Sequence, residues 1–187
     1  IIVVATLTYY LMSLSYKHEL ITKPVIPTTV TPTSLEPLLA AYYFSQRNVM
    51  RAVNVDTIVI SNYGENVTLR IPVSRIVAMN TVALQILIDI GAGSDVVGIE
   101  GYASRLPWLF GNYSALPAVS SGMWSINYEE IASLNPDLVI TWSYILPQVR
   151  QKLSAFNIPV IAWGSNDNLT SLIMLLGVIT NHTGKAP

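Results

Sequence analysis

The chain has 187 residues, 51% of them hydrophobic and 11% charged, with a net charge of −1. That is enough apolar material for one buried core and a tail, which excludes global disorder, and its Lys and Arg residues form no basic stripe, which excludes a nucleic-acid surface. Cysteine is absent, so disulfides, thiolate metal sites, cysteine nucleophiles and a lipid-bearing cysteine are excluded within this sequence.

Ile1 to Leu14 (IIVVATLTYYLMSL) is apolar and uncharged. A bilayer span needs about 20 such residues, so this run predicts part of a signal peptide or transmembrane anchor over 1–21, with the rest lying before Ile1. Ser13-Leu14-Ser15 is a weak cleavage candidate, and a buried core segment is the other reading. Residues 22–54 are expected to be a stalk and a helical linker. Thr22 to Ser34 is rich in Thr and Pro, which favours extended chain. Glu36 to Ala52 has helical composition. Both ends of the sequence are expected to be cut.

From residue 55 the pattern is that of a folded lobe. Asp56 to Ile60 and Asn66 to Ile71 are β-rich runs around Ser61-Asn62-Tyr63-Gly64-Glu65, which predicts a hairpin. Short apolar strands then alternate with helices. The strands are expected at 75–79, 96–99, 137–141 and 159–163, and the helices at 81–91, 127–135, 146–157 and 169–180. This alternation predicts an α/β fold, a Rossmann-like parallel sheet with helices on both faces, preceded by the hairpin. Ligands of such sheets sit beyond the carboxyl ends of the strands.

The sequence carries no G-x-G-x-x-G after a strand, no Walker A motif and no G-x-S-x-G elbow. His18 falls in the tail and His182 near the end, so neither a histidine-built metal site nor the base of a hydrolytic triad is expected. Asp89, Asp95 and Asp137 flank elements, where solvation or capping is the expected role. The strand ends hold other groups: Asn80 and Thr81; Glu100, Gly101, Tyr102 and Arg105; Met123 and Trp124 in a Ser/Gly loop; Trp142 and Tyr144; and Trp163. A tryptophan usually packs in a core, but three on one predicted rim suit an aromatic floor for a large flat ligand or a chelate. The helix opened by Asn80 is expected to turn its free amides toward an anionic ligand edge, and Arg105 to pair with a carboxylate or phosphate. Asn127 with Glu130 predicts a capping box, leaving Glu129 in solvent.

Three segments, SRIVAMNTVALQILIDIGAGSDVVGIEGYAS (74–104), LPAVSSGMWSINYEEIASLNPDLVITW (116–142) and FNIPVIAWGSNDNLTSLIMLLGVITNHTGK (156–185), resemble the periplasmic binding proteins of iron-siderophore and vitamin B12 importers. Their order is that family's: a helix ending in L-x-x-x-G-A-G, then V-V-G, a glycine-bearing loop, N-Y-E-x-I-x-x-L-x-P-D-L-V-I, and I-P-V. The resemblance covers roughly residues 55 to 185.

The resemblance implies a two-lobed protein of class III with ligand between the lobes. Residues 55–187 would be its N-terminal lobe, and the C-terminal lobe would be missing. It implies a binding role without catalysis and no cofactor beyond the ligand, a metal chelate or corrinoid. Its partners would be an ABC permease and ATPase, with Glu129 docking onto arginines of the permease and Met123 and Trp124 in a ligand-contacting loop. The Thr/Pro stalk resembles archaeal surface-anchored versions, and N-x-S/T sites at Asn66, Asn112, Asn168 and Asn181 fit an extracytoplasmic location. Two other classes remain open on this scaffold: a non-transport surface protein, and an α/β enzyme such as a metal-chelate reductase or hydrolase.

Overall fold

The computed structural model describes residues 44–45, 48–54, 56–122 and 125–182. The anchor expected over 1–21, the Thr/Pro stretch, much of the linker, and Met123 and Trp124 lie outside them.

The hairpin forms as expected, from β3 (Thr57–Asn62) and β4 (Glu65–Arg70). Tyr63 and Gly64 make its two-residue loop with φ of 51° and 85°, the pair of positive angles that matches the twist of the flanking strands. It belongs to a larger antiparallel sheet ordered β1-β2-β3-β4, with β1 at Phe44–Ser45 and β2 at Asn48–Asn54. This corrects the helix expected across Glu36 to Ala52: from Asn48 onward the chain is a strand, paired antiparallel with β3 with one register shift between Ala52 and Asn54. Cross-strand pairing outweighs the weak helical preference of that composition.

The second sheet is parallel, as the alternation predicts. Its strands are β5 (Ile76–Met79), β6 (Val96–Ile99), β7 (Leu138–Trp142) and β8 (Val160–Trp163), in the order β6-β5-β7-β8. The helices are α1 (Thr81–Asp89), α2 (Pro107–Phe110), α3 (Tyr128–Ser133), α4 (Leu146–Leu153) and α5 (Leu169–Ile179). Successive strand residues point to opposite faces, so the sheet has two cores. Ile76, Ala78, Leu138, Ile140 and Ile161 pack with α1 and α5 in one. Val77, Met79, Val139, Val160 and Ala162 pack with Ile131 of α3 and Val149 of α4 in the other. Both faces are therefore covered, and the strands need no polar alternation.

Local chemistry fixes the joints. Asp137 Oδ2 accepts from the Ser74 and Arg75 amides at 3.1 and 3.0 Å, tying the entrances of β5 and β7 together. Asn127 caps α3 by accepting from Glu130 N at 3.0 Å. The reciprocal half of the expected capping box is replaced, because the Asn127 amide donates to Val119 O at 2.9 Å. Among the described residues no helix is long and apolar enough to cross a membrane.

The two sheets meet at Asn62, which is 1% exposed. Its Nδ2 donates to Ala162 O and its Oδ1 accepts from Ala162 N, both at 2.9 Å. Arg150 donates to Asn62 O at 3.0 Å and to its Oδ1 at 3.1 Å. Asn62→Ala strands the buried amide and carbonyl of Ala162 and takes one acceptor from Arg150, and each buried unsatisfied group costs about 1–3 kcal/mol. We expect a loss of about 3 kcal/mol, read as a lower urea midpoint at unchanged slope. A loss under about 0.5 kcal/mol would mean the joint is cosmetic.

Candidate ligand-binding site

Order β6-β5-β7-β8 places β5 between a strand that follows it and a strand reached by reversing direction. Ligands of open parallel sheets bind at such a reversal, outside the carboxyl ends of the strands. A cavity of about 370 Å³ opens there, within the usual size range of small-molecule sites. Met79 and Thr81 line it from the end of β5, Glu100 and Tyr102 from β6, and Trp142 and Tyr144 from β7. Arg105, Ser120, Gly122, Ile126 and Ile145 complete the wall.

Four residues expected at a ligand thus share one cavity: Tyr102, Arg105, Trp142 and Tyr144. Trp142 and Tyr144 stack with ring centroids 6.2 Å apart and planes 19° apart. Trp163 lies behind them, its ring 6.4 Å from that of Trp142 at 48°. It is half-buried against the α1 and α5 core and does not line the cavity. Asn80 is also displaced from the expected role. It is fully buried, accepts from the amides of Val82 and Ala83 at 3.0 and 3.1 Å, and donates to Trp163 O at 3.4 Å. The Val82 and Ala83 amides, expected to meet a ligand, are therefore met by the helix's own cap. Arg105 donates to Ser121 O at 2.8 Å. Ser121 N in turn donates to Ser125 O at 3.0 Å. Glu129 is exposed on the first turn of α3 and lines a neighbouring polar groove with Arg105, Ser120 and Ser125.

Backbone contact sets the cavity's floor. The Gly101 amide donates to Ser120 Oγ at 3.0 Å. A Cβ on Gly101 would collide with the Ser120 carbonyl oxygen, so only glycine permits this approach. Ile99 forms a parallel bridge to Ala118, bringing it alongside β6, and Ser120 forms an antiparallel bridge to Ile126.

The most consequential lining residue is Glu100, which the sequence marks only as a strand-end residue. Burial raises its pKa above the ordinary value, against the smaller opposing pulls of the Trp142 side chain and the Thr81 amide and hydroxyl. Its Oε1 is buried without a hydrogen-bond partner. Tyr144 is raised too, first by burial and then by the charge of Glu100. Among the described residues no group of three or more His, Asp or Glu could hold a metal ion.

Comparison with known proteins agrees with this geometry. The family described as "Periplasmic binding protein" matches residues 76–186. No curated protein matches the chain. Among solved structures, a periplasmic solute binding protein from Veillonella parvula is 26% identical with a TM-score of 0.56, over 68% of this chain and 42% of its own. The petrobactin-binding protein of Bacillus subtilis is 16% identical with a TM-score of 0.58, over 70% and 47%. The molybdate periplasmic binding protein of a Haemophilus influenzae ABC transporter is 19% identical with a TM-score of 0.54, over 66% and 46%. The chain thus spans less than half the length of each of these structures. With its parallel sheet, its cleft at the strand ends and a match across more than half of its residues, the chain belongs to the periplasmic binding protein family.

Proposed function

We propose that this chain supplies the first lobe of the extracytoplasmic substrate-binding component of an ABC importer. Its cargo is an iron chelate (a siderophore or haem) or a corrinoid, which it delivers to the permease and ATPase. The observation that carries the reading is the cavity at the sheet's reversal point with Trp142 and Tyr144 stacked on its wall. Stacked rings offer contact area to a large, flat or aromatic ligand. A compact oxyanion such as the molybdate bound by the Haemophilus protein needs clustered donors instead. Here the cap at Asn80 engages the Val82 and Ala83 amides, and the Ser121 carbonyl takes one N–H of Arg105. The petrobactin-binding relative supports the chelate class. In this reading residues 1–21 anchor or export the protein, 22–54 space it from the membrane, Met123 and Trp124 add to the ligand wall, and Glu129 meets the permease.

Tryptophan fluorescence titration of the full-length protein with ferric siderophores, haemin and cobalamin tests the ligand class. We expect one of the three classes to quench the signal. In Trp142→Ala its affinity should fall about thirtyfold, the usual loss at an aromatic anchor. A variant that binds as tightly as wild type would remove the aromatic wall from the mechanism.

An exposed charge such as Glu129 orients a partner more than it stabilises a fold. Glu129→Arg should abolish uptake in a reconstituted importer and leave ligand affinity unchanged. Its stability cost should stay under about 1 kcal/mol, the size of a helix-end charge effect. Normal uptake would make Glu129 a bystander.

Deleting residues 1–34 should release the protein from membrane fractions into the soluble fraction with its circular-dichroism melt preserved. Retention on membranes would reject the tether.

A further inference from the structure

We infer that the ligand presents a cationic group, a protonated or quaternary amine, to the pocket formed by Glu100 and the stacked rings of Trp142 and Tyr144. This rests on the binding-protein reading above and narrows its ligand class.

Three observations carry it. First, Glu100 lines the cavity and its Oε1 lacks a hydrogen-bond partner. Trp142 and Thr81 donate to the carboxylate, but a carboxylate in a partly dry wall stays costly while one oxygen is unmet and no positive charge lies beside it. Second, among the described residues no Lys or Arg forms an ion pair with it. Arg105, the cation of the same cavity, spends a guanidinium N–H on Ser121 O. It is not among the groups that shift Glu100's pKa. Third, Trp142 and Tyr144 stand against this carboxylate, close enough for its charge to act on the Tyr144 hydroxyl. Aromatic faces attract cations through their quadrupoles. A carboxylate with two rings is a cation receptor, and it opposes the anionic ligand edge that the strand-end amides and Arg105 lead one to expect.

Glu100 also sits where it weakens the fold. A carboxyl with a raised folded-state pKa is penalised at pH values above that pKa, and the penalty vanishes below the unfolded-state value. The charged or titratable groups around it are Tyr102, Arg105 and Tyr144. Glu100→Gln should therefore melt higher than wild type at pH 7, with the difference fading toward about pH 4. A carboxylate kept for structure would show the opposite sign.

The binding test uses choline and its uncharged isostere 3,3-dimethylbutan-1-ol as probes of the full-length protein, read by tryptophan fluorescence. Choline should bind about tenfold more tightly than the isostere. That preference should disappear in Glu100→Gln and shrink in Trp142→Leu. Equal binding of the two probes, no response to choline, or a preference that survives Glu100→Gln would overturn the inference. A parallel titration with an anionic ferric catecholate separates the two levels of the argument. Tight binding unchanged in Glu100→Gln, with no choline preference, would sink the cation site and leave the chelate-binding reading standing.

Discussion

The lobe depends on one side chain acting as main chain. Asn62 ends β3, yet its amide group makes the two bonds to Ala162 that a neighbouring strand would make. The edge of a parallel sheet is a row of unpaired donors and acceptors, and β8 is such an edge. Asn62 satisfies one residue of it and docks the hairpin in the same contact. Arg150 on α4 then grips Asn62 and reaches Val160 O at 3.3 Å, so helix, hairpin and edge strand converge on one node. The Glu65 carboxylate lies 3.4 Å from Arg150 but is largely exposed, and pairs of that kind add little. The fixity comes from the buried amide.

The consequence reaches the cavity through the next residue. Tyr63 holds the left-handed conformation of the hairpin loop while its hydroxyl donates to Asp167 Oδ2, which also accepts from Gly164 N at 2.9 Å. The turn after β8 is thereby fixed to the hairpin. Trp163 precedes that turn, gives its carbonyl to Asn80, and backs the ring of Trp142. A hairpin far along the chain from β7 therefore supports the aromatic wall, and the route runs through three polar side chains, Asn62, Tyr63 and Asp167.

Much of this was legible because it follows from local patterns. The four parallel strands announce themselves as apolar runs, the hairpin by Asn and Gly between β-rich segments, and α3 by the asparagine that caps it. What escaped was decided by partners distant in sequence. Residues 48–54 look helical until β3 is there to pair with them. Glu130 would close a capping box if Val119 did not take the Asn127 amide. Asn80 reads as a cleft residue because it follows a strand, but as a cap it must turn its amide inward. Glu100 looked like any polar residue after a strand. Its importance comes from Trp142 and Thr81, brought beside it by parallel pairing. Trp108, left out of the aromatic floor, is the most exposed large apolar residue among the described residues, at 78%.

The close approach of Gly101 to Ser120 has a further consequence. Met79 hangs from strand backbone already paired in the sheet, and Ser120 and Ile126 from a bridge of their own. Such a surface cannot yield to a poorly shaped guest without breaking sheet pairs, so the half-site works as a template and not as a glove. Adaptation to cargo is left to the side chains at its rim, chiefly Tyr102 and Tyr144, both more than half exposed. Discrimination would then appear mostly in how quickly an ill-fitting molecule departs, since a stiff wall admits many encounters and retains few.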